Sequence, residues 1–367
     1  MSQAATLRYN TGMKIQKRYL PFILMAGMAL LAGLWAGLMR IGWRLPAFSG
    51  LALAHGPLMV GGFLGVLIPL ERAVAIRQKW MFAAPAITSL GWIWLLLAPG
   101  RLPAAVLTLG SLLTLGILGV MVQREPKTHT LTMALGTLAW VLGNALWTLG
   151  LPVFRVVYLW AAYLVLTIAG ERLELSRMLH PSPASVRRFS LLAGLSLVGA
   201  LSAAAWPTLG VPLTGLGFAG LAVWFLPNDI ATRNLRHPAA LTRFIAACLY
   251  GGFLWLLLGG SALAAYGAQA AGPLYDAALH MVFVGFVMAM IFGHAPIIFP
   301  TILGLQPAFS PRFYLPLGLL HVSLALRVIG DLRLASGLRA WGGLLNEAAI
   351  LLFFFLFALS LRKGAQA

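Results

Sequence analysis

Charge is scarce in this chain of 367 residues: only 9% are Asp, Glu, Lys or Arg, against about 25% in soluble domains. With 60% hydrophobic residues, a water-soluble globule is excluded, and the sequence reads as an integral membrane protein. Cysteine is nearly absent. Cys248 stands alone, which excludes an internal disulfide and any multi-cysteine zinc or iron-sulfur site. Acidic residues are few as well, 8 against 26 Lys and Arg. In a soluble chain that excess would point to nucleic acid. In a membrane chain it reflects anchoring at the cytoplasmic surface, so no nucleic-acid partner is expected and the lipid bilayer is the first partner. Chemistry, if present, must use His, Met, Tyr or the few charges. Lys14, Lys17 and Arg18 precede an apolar run longer than a signal-peptide core and without a clear cleavage site, so that run reads as a retained first span.

What the chain has in quantity is apolar runs. They predict an all-α polytopic fold with twelve spans near 19–39, 50–70, 81–99, 103–122, 130–150, 153–173, 189–206, 208–227, 242–266, 273–299, 312–331 and 340–361. Residues 1–18 form a terminal segment, 19–362 one transmembrane domain and 363–367 a tail. An even number of spans puts both termini on one face. That face carries 19 Lys and Arg and the other carries 7, which predicts cytoplasmic termini in a bacterial inner membrane. The inner ends of spans two, six and ten read LIPLERA, TIAGERL and MIFGHAP. This register, repeated every four spans, aligns Glu71, Glu171 and His294 and predicts a threefold pseudo-repeat.

An ionisable residue within a span costs about 2.5 to 3.5 kcal/mol at the helix centre, so each needs a partner or a task. His129, His180 and His237 sit beside basic connections and read as solvated or headgroup-facing. His55, His280, His294 and His321 lie within spans. His55 and His280 fall six to seven residues into two helices that both run inward, which at 1.5 Å of rise per residue places them about 10 Å deep at one level. Two neutral imidazoles at one depth on separate helices suit the axial positions of a haem iron. Alternatively, each bonds a carbonyl in a packed bundle. Haem propionates would need cations at the outer face, where Arg40 and Arg44 lead into the His55 span and Arg327, Arg333 and Arg339 bracket the connection from span eleven to twelve. The same arginines also suit interfacial anchoring, an Arg327–Asp331 pair, or neutralisation of Glu347.

Fourteen positions at 100° each bring His294 to within about 40° of the face of His280. His294 therefore belongs to the inner end of one channel, over a polar floor of Glu71, Arg72, Glu171 and Arg172. That floor is either a proton-accessible vestibule or a set of ion pairs fixing helix ends. His321 is open between second-shell donor, metal ligand and packing residue, and Met59, one turn from His55, is a reserve metal ligand. Gly61 and Gly65, and Gly285, Ala289 and Gly293, are spaced for close helix contact.

Twelve spans with histidines near the outer ends of spans two and ten, followed by arginines after span eleven, resemble the haem-copper oxidase subunit I architecture. The runs HGPLMVGGFLGVLIPLERAVAI from His55 and HMVFVGFVMAMIFGHAPIIFP from His280 resemble the NnrS family of haem- and copper-containing membrane proteins associated with the response to nitric oxide. The resemblance implies haem b on His55 and His280, one-electron redox or nitric oxide handling, quinol as a plausible electron donor, and copper, for which His294, His321 and Met59 are the remaining ligands. The ligands of a second, reactive haem facing copper are missing, since span six has no histidine and span seven no His-His pair. Two other readings stand beside it: a proton-coupled transporter without haem using Glu71, Glu171, His294 and His321, and a copper-delivery or respiratory-complex assembly factor.

Overall fold

The structure, a computed structural model, describes residues 16–46, 50–305 and 307–364. Residues 1–15, with Arg8 and Lys14, and 365–367 lie outside the described residues, so the expectations for the terminal segment and tail are not addressed there. Among the described residues there is no strand, and twelve helices are long and apolar enough to cross a membrane. They are α1 (Lys17–Arg40), α2 (Leu51–Ile76), α3 (Lys79–Leu97), α4 (Arg101–Arg124), α5 (Thr128–Thr148), α6 (Val153–Leu179), α7 (Pro183–Ala205), α8 (Pro207–Asn228), α9 (Ala240–Tyr266), α10 (Pro273–Leu303), α11 (Pro311–Leu332) and α12 (Ser336–Leu361).

The predicted count holds, including the narrow join at Pro207. Trp206 alone separates α7 from α8, and Pro207 opens α8 where its missing N–H costs no helical hydrogen bond. Four helices run four or more residues past their predicted ends on the terminal face: α2 to Ile76, α6 to Leu179, α10 to Leu303, and α7, which starts at Pro183. In α2 and α6 the charges that were read as helix-ending, Arg72 and Arg172, are paired inside the bundle. α2 and α10 stop at left-handed residues, Arg77 and Gly304, with φ of +65° and +72°.

Burial separates the helices by their position in each group of four. The apolar windows of α2, α6 and α10 are 61%, 78% and 61% buried, each the most buried of its quartet, whereas α1, α4 and α12 are at 33%. The three helices aligned by sequence are therefore the inner ones. Small residues let them be packed closely: a Cβ at Gly65 would meet Trp140 of α5 at 2.7 Å, one at Gly285 would meet Trp255 of α9 at 2.4 Å, and one at Gly293 would meet Leu249 at 2.7 Å.

Two of the inner helices are not uniform. In α2 a π-helical segment, Leu58–Leu64, follows the single α-turn His55–Pro57, and in α10 a π segment, Met281–Met288, follows His280 directly. α6 is α-helical from Val153 to Ser176. The π turn is rare and concentrates at functional sites. Here it begins within three residues of His55 on α2 and of His280 on α10.

Candidate cofactor cavity

A cavity of about 690 Å³ opens among α1, α2, α6, α10 and α12 toward the face opposite the termini. His55 and His280 both line it. Their ring centres are 6.1 Å apart with planes within 24° of parallel. The Nδ1 of His55 lies 2.8 Å from the carbonyl of Gly33 in α1, and the Nδ1 of His280 lies 2.8 Å from the carbonyl of Asp276 one turn earlier in α10. A carbonyl only accepts, so in each ring the proton sits on Nδ1 and the lone pair on Nε2. Bonding to a carbonyl and readiness to ligate thus belong to different nitrogens of the same ring. A metal held between two imidazole nitrogens at about 2.0 Å each sets the ring centres roughly 6 Å apart.

The approach to Gly33 has its own local cause. Gly33 and Gly37 form a GxxxG pair in α1; a Cβ at Gly33 would fall 2.7 Å from Met59 Sδ, and one at Gly37 would fall 3.0 Å from His55 Cε1. This pair is legible in the sequence as GLWAG but was not among the small-residue spacings singled out. It seats α2 against α1 and brings the Gly33 carbonyl within reach of His55.

Of the five arginines expected to meet propionates, three reach the cavity. Arg40, Arg327 and Arg339 line it, joined by Arg101, whereas Arg44 and Arg333 are exposed and away from it. Arg333 follows the last residue of α11, beyond the turns that face the bundle. Arg327 does not pair with Asp331: its Nε and Nη2 each donate at 2.8 Å to the Asp276 carboxylate. Asp331 takes Arg339 instead, at 3.1 Å. The Arg327–Asp276 fork stands beside His280, whose Nδ1 is 3.3 Å from Asp276 Oδ1, so a cation, a carboxylate and an imidazole form one connected series. Among the described residues Arg327 Nη1 makes no hydrogen bond, and it is the nitrogen left to a ligand. Glu347 of α12 also lines the cavity, and among the described residues it makes no hydrogen bond or direct ion pair.

A second cavity of about 90 Å³ lies deeper, toward the terminal face, and it brings Glu71, Glu171 and His294 together as their shared register predicted. Leu64 and Val287 line both cavities and form the wall between them. Arg72 pairs with Glu171 and stands 3.7 Å from Glu71. Arg172 leaves this floor: its Nε and Nη2 donate to the fully buried Asp229 at 2.8 and 2.7 Å. Adjacent residues on a helix point about 100° apart, so neither arginine lines the cavity beside its glutamate; Arg72 reaches across to Glu171 and Arg172 away to Asp229. The eight π-helical residues between His280 and His294 also invalidate the plain 100° count, and the two histidines open onto different cavities.

The remaining metal candidates do not meet. Met59 lines the outer cavity, His294 the inner one, and His321 neither. His321 Nδ1 accepts from Trp255 Nε1 at 3.0 Å, which puts its proton on Nε2, a buried atom without a partner among the described residues. That tautomer leaves no lone pair for a metal, so His321 is a packing residue. His129 is likewise not solvated. It is 2% exposed.

A family model described as a domain of unknown function (DUF8744) matches residues 18–362, nearly the whole helical domain. No curated protein matches the chain.

Proposed function

We propose that this chain, which belongs to the DUF8744 family, is a membrane protein that holds b-type haem between His55 and His280 and passes single electrons. The observation that carries this reading is the two-imidazole pair: two rings lining one 690 Å³ cavity, each with its Nδ1 on a backbone carbonyl, and with ring centres 6.1 Å apart. The resemblance of the His55 and His280 runs to the NnrS and haem-copper oxidase architectures points the same way.

Each residue around the cavity has a task in this reading. The Gly33 carbonyl and Asp276 fix the two rings in the tautomer that ligates. Arg40, Arg101, Arg339 and the free Nη1 of Arg327 offer forks to carboxylates at the cavity mouth. Val157, Phe283 and Val284 give the apolar walls that suit a flat macrocycle. When bound, haem supplies reversible one-electron chemistry at iron, at a potential set by axial ligands and burial. His55 and His280 would hold the iron, and nitric oxide would have to compete with them for it. Quinol is the donor this reading calls for, and the charge bias supports cytoplasmic termini in a bacterial inner membrane. Copper has less support, since Met59, His294 and His321 stand in separate surroundings.

The visible spectrum of detergent-purified protein, oxidised and dithionite-reduced, tests the proposal. Sharp reduced bands of six-coordinate b-type haem, lost in both His55→Ala and His280→Ala, are expected. Bands that persist in either variant overturn the ligand pair. Colourless, folded protein from haem-sufficient cells supports instead a proton-coupled transporter, the reading favoured by the convergence of Glu71, Glu171 and His294 on one cavity.

A further inference from the structure

Away from both cavities, the terminal face holds a cluster built from three helices. Glu125 follows the last residue of α4, His129 lies in the first turn of α5, and Glu174 lies in the last turns of α6. One ligand atom from each comes within 4.8 Å of the others. Glu125 and Glu174 reach this point from the surface, whereas the His129 side chain is 3% exposed. Its Nε2 has no hydrogen-bond partner among the described residues. Gly170 explains how it is buried: a Cβ there would lie 2.6 Å from the His129 carbonyl, so α5 starts directly against α6.

The separation within the pair is informative. His129 Nε2 stands 3.7 Å from Glu125 Oε2, too far for a hydrogen bond. Two ligand atoms on one tetrahedral ion, at about 2.0 to 2.2 Å from it, lie roughly 3.3 to 3.6 Å apart. The pair is therefore spaced for a shared ion and needs only a few tenths of an ångström of closure. The two oxygens of Glu125 also face different partners. Lys127 Nζ at 2.9 Å and Arg177 Nη1 at 3.2 Å both take Oε1, which leaves Oε2 to the imidazole side. A carboxylate held by cations on one oxygen and offering the other is a common arrangement around metal ligands.

We propose that Glu125, His129 and Glu174 bind a divalent first-row transition ion of the zinc class. One imidazole and two carboxylates favour such an ion over magnesium or calcium, which prefer all-oxygen shells. Glu174 swings in from the surface as the third ligand and water completes the shell. The bound ion ties together the ends of α4, α5 and α6. Glu174 is one turn from Glu171, so the tie anchors the helix that lines both cavities.

Zinc titration by calorimetry tests the site, on chelator-stripped full-length protein purified without a histidine tag, with His180→Ala and His237→Ala introduced because those exposed histidines share the face. One saturable zinc per chain is expected, with magnesium giving no heat. His129→Ala and Glu174→Gln should each weaken binding by about tenfold or more. Glu174 is exposed, so its variant carries the test if His129→Ala does not fold. No saturable binding, equal binding of magnesium, or unchanged affinity in the Glu174→Gln protein overturns the proposal. The haem reading rests on none of these residues, and an unaltered visible spectrum in both variants keeps the two questions apart.

Discussion

The outer and inner cavities share α1, α2, α6 and α10, yet they dispose their charged groups differently. In the outer cavity the imidazoles are anchored to carbonyls, the arginines line the mouth, and Glu347 is unpaired among the described residues. In the inner cavity the carboxylates gather on one cation: Arg72 pairs with Glu171 and stands 3.7 Å from Glu71, its Nε without a partner among the described residues, and His294 sets its Nδ1 against the Met290 carbonyl at 2.7 Å. A buried ionisable group left without a partner suits a ligand, and one that is fully paired suits a fixed helix end. On the proposed reading, the chemistry belongs to the outer half and the inner half anchors helix ends.

Five substitutions probe that contrast, in falling order of effect. Asp276→Ala removes the partner of a nearly buried guanidinium, and a loss of about 3 to 5 kcal/mol in thermal or denaturant unfolding is expected, together with loss of the b-type bands. Arg72→Met strands two carboxylates in a partly hydrated site, so a smaller loss of about 1 to 3 kcal/mol follows, much of it recovered when Glu171→Gln is added. Failure of that double variant to recover would show that the inner charges are not simply paired with one another. Gly33→Ala pushes Met59 from α1 and should cost about 1 to 3 kcal/mol, with a shifted reduced spectrum because His55 loses its carbonyl. Least affected are His294→Ala and Arg333→Ala, whose spectra should match the parent; a changed spectrum in His294→Ala would move the chemistry inward.

The number of helices, and the pairing of His55 with His280, were legible because both are local readings. Apolar length gives a span, and counting residues inward from the same interface gives a depth. The register of Glu71, Glu171 and His294 was legible for the same reason, and the cavity that gathers them follows it. Partner choice was not legible. Arg327 selects Asp276, 51 positions away, over Asp331 on its own helix, and nothing local distinguishes the two. The π segments carry no composition signal that separates Leu58–Leu64 from ordinary helix, so rotations counted through them go wrong. His129 was misread because its neighbours in sequence are polar, whereas its burial comes from α6 passing behind it.

Leu64 and Val287, the partition between the cavities, both sit in π-helical turns. Such a turn holds one residue beyond an α-turn, so the residues after it are rotated from where plain helix would set them. The septum is therefore set by the two stretches whose coil departs from the rest of the bundle, and a deletion that restored plain helix in either would turn its wall residue aside.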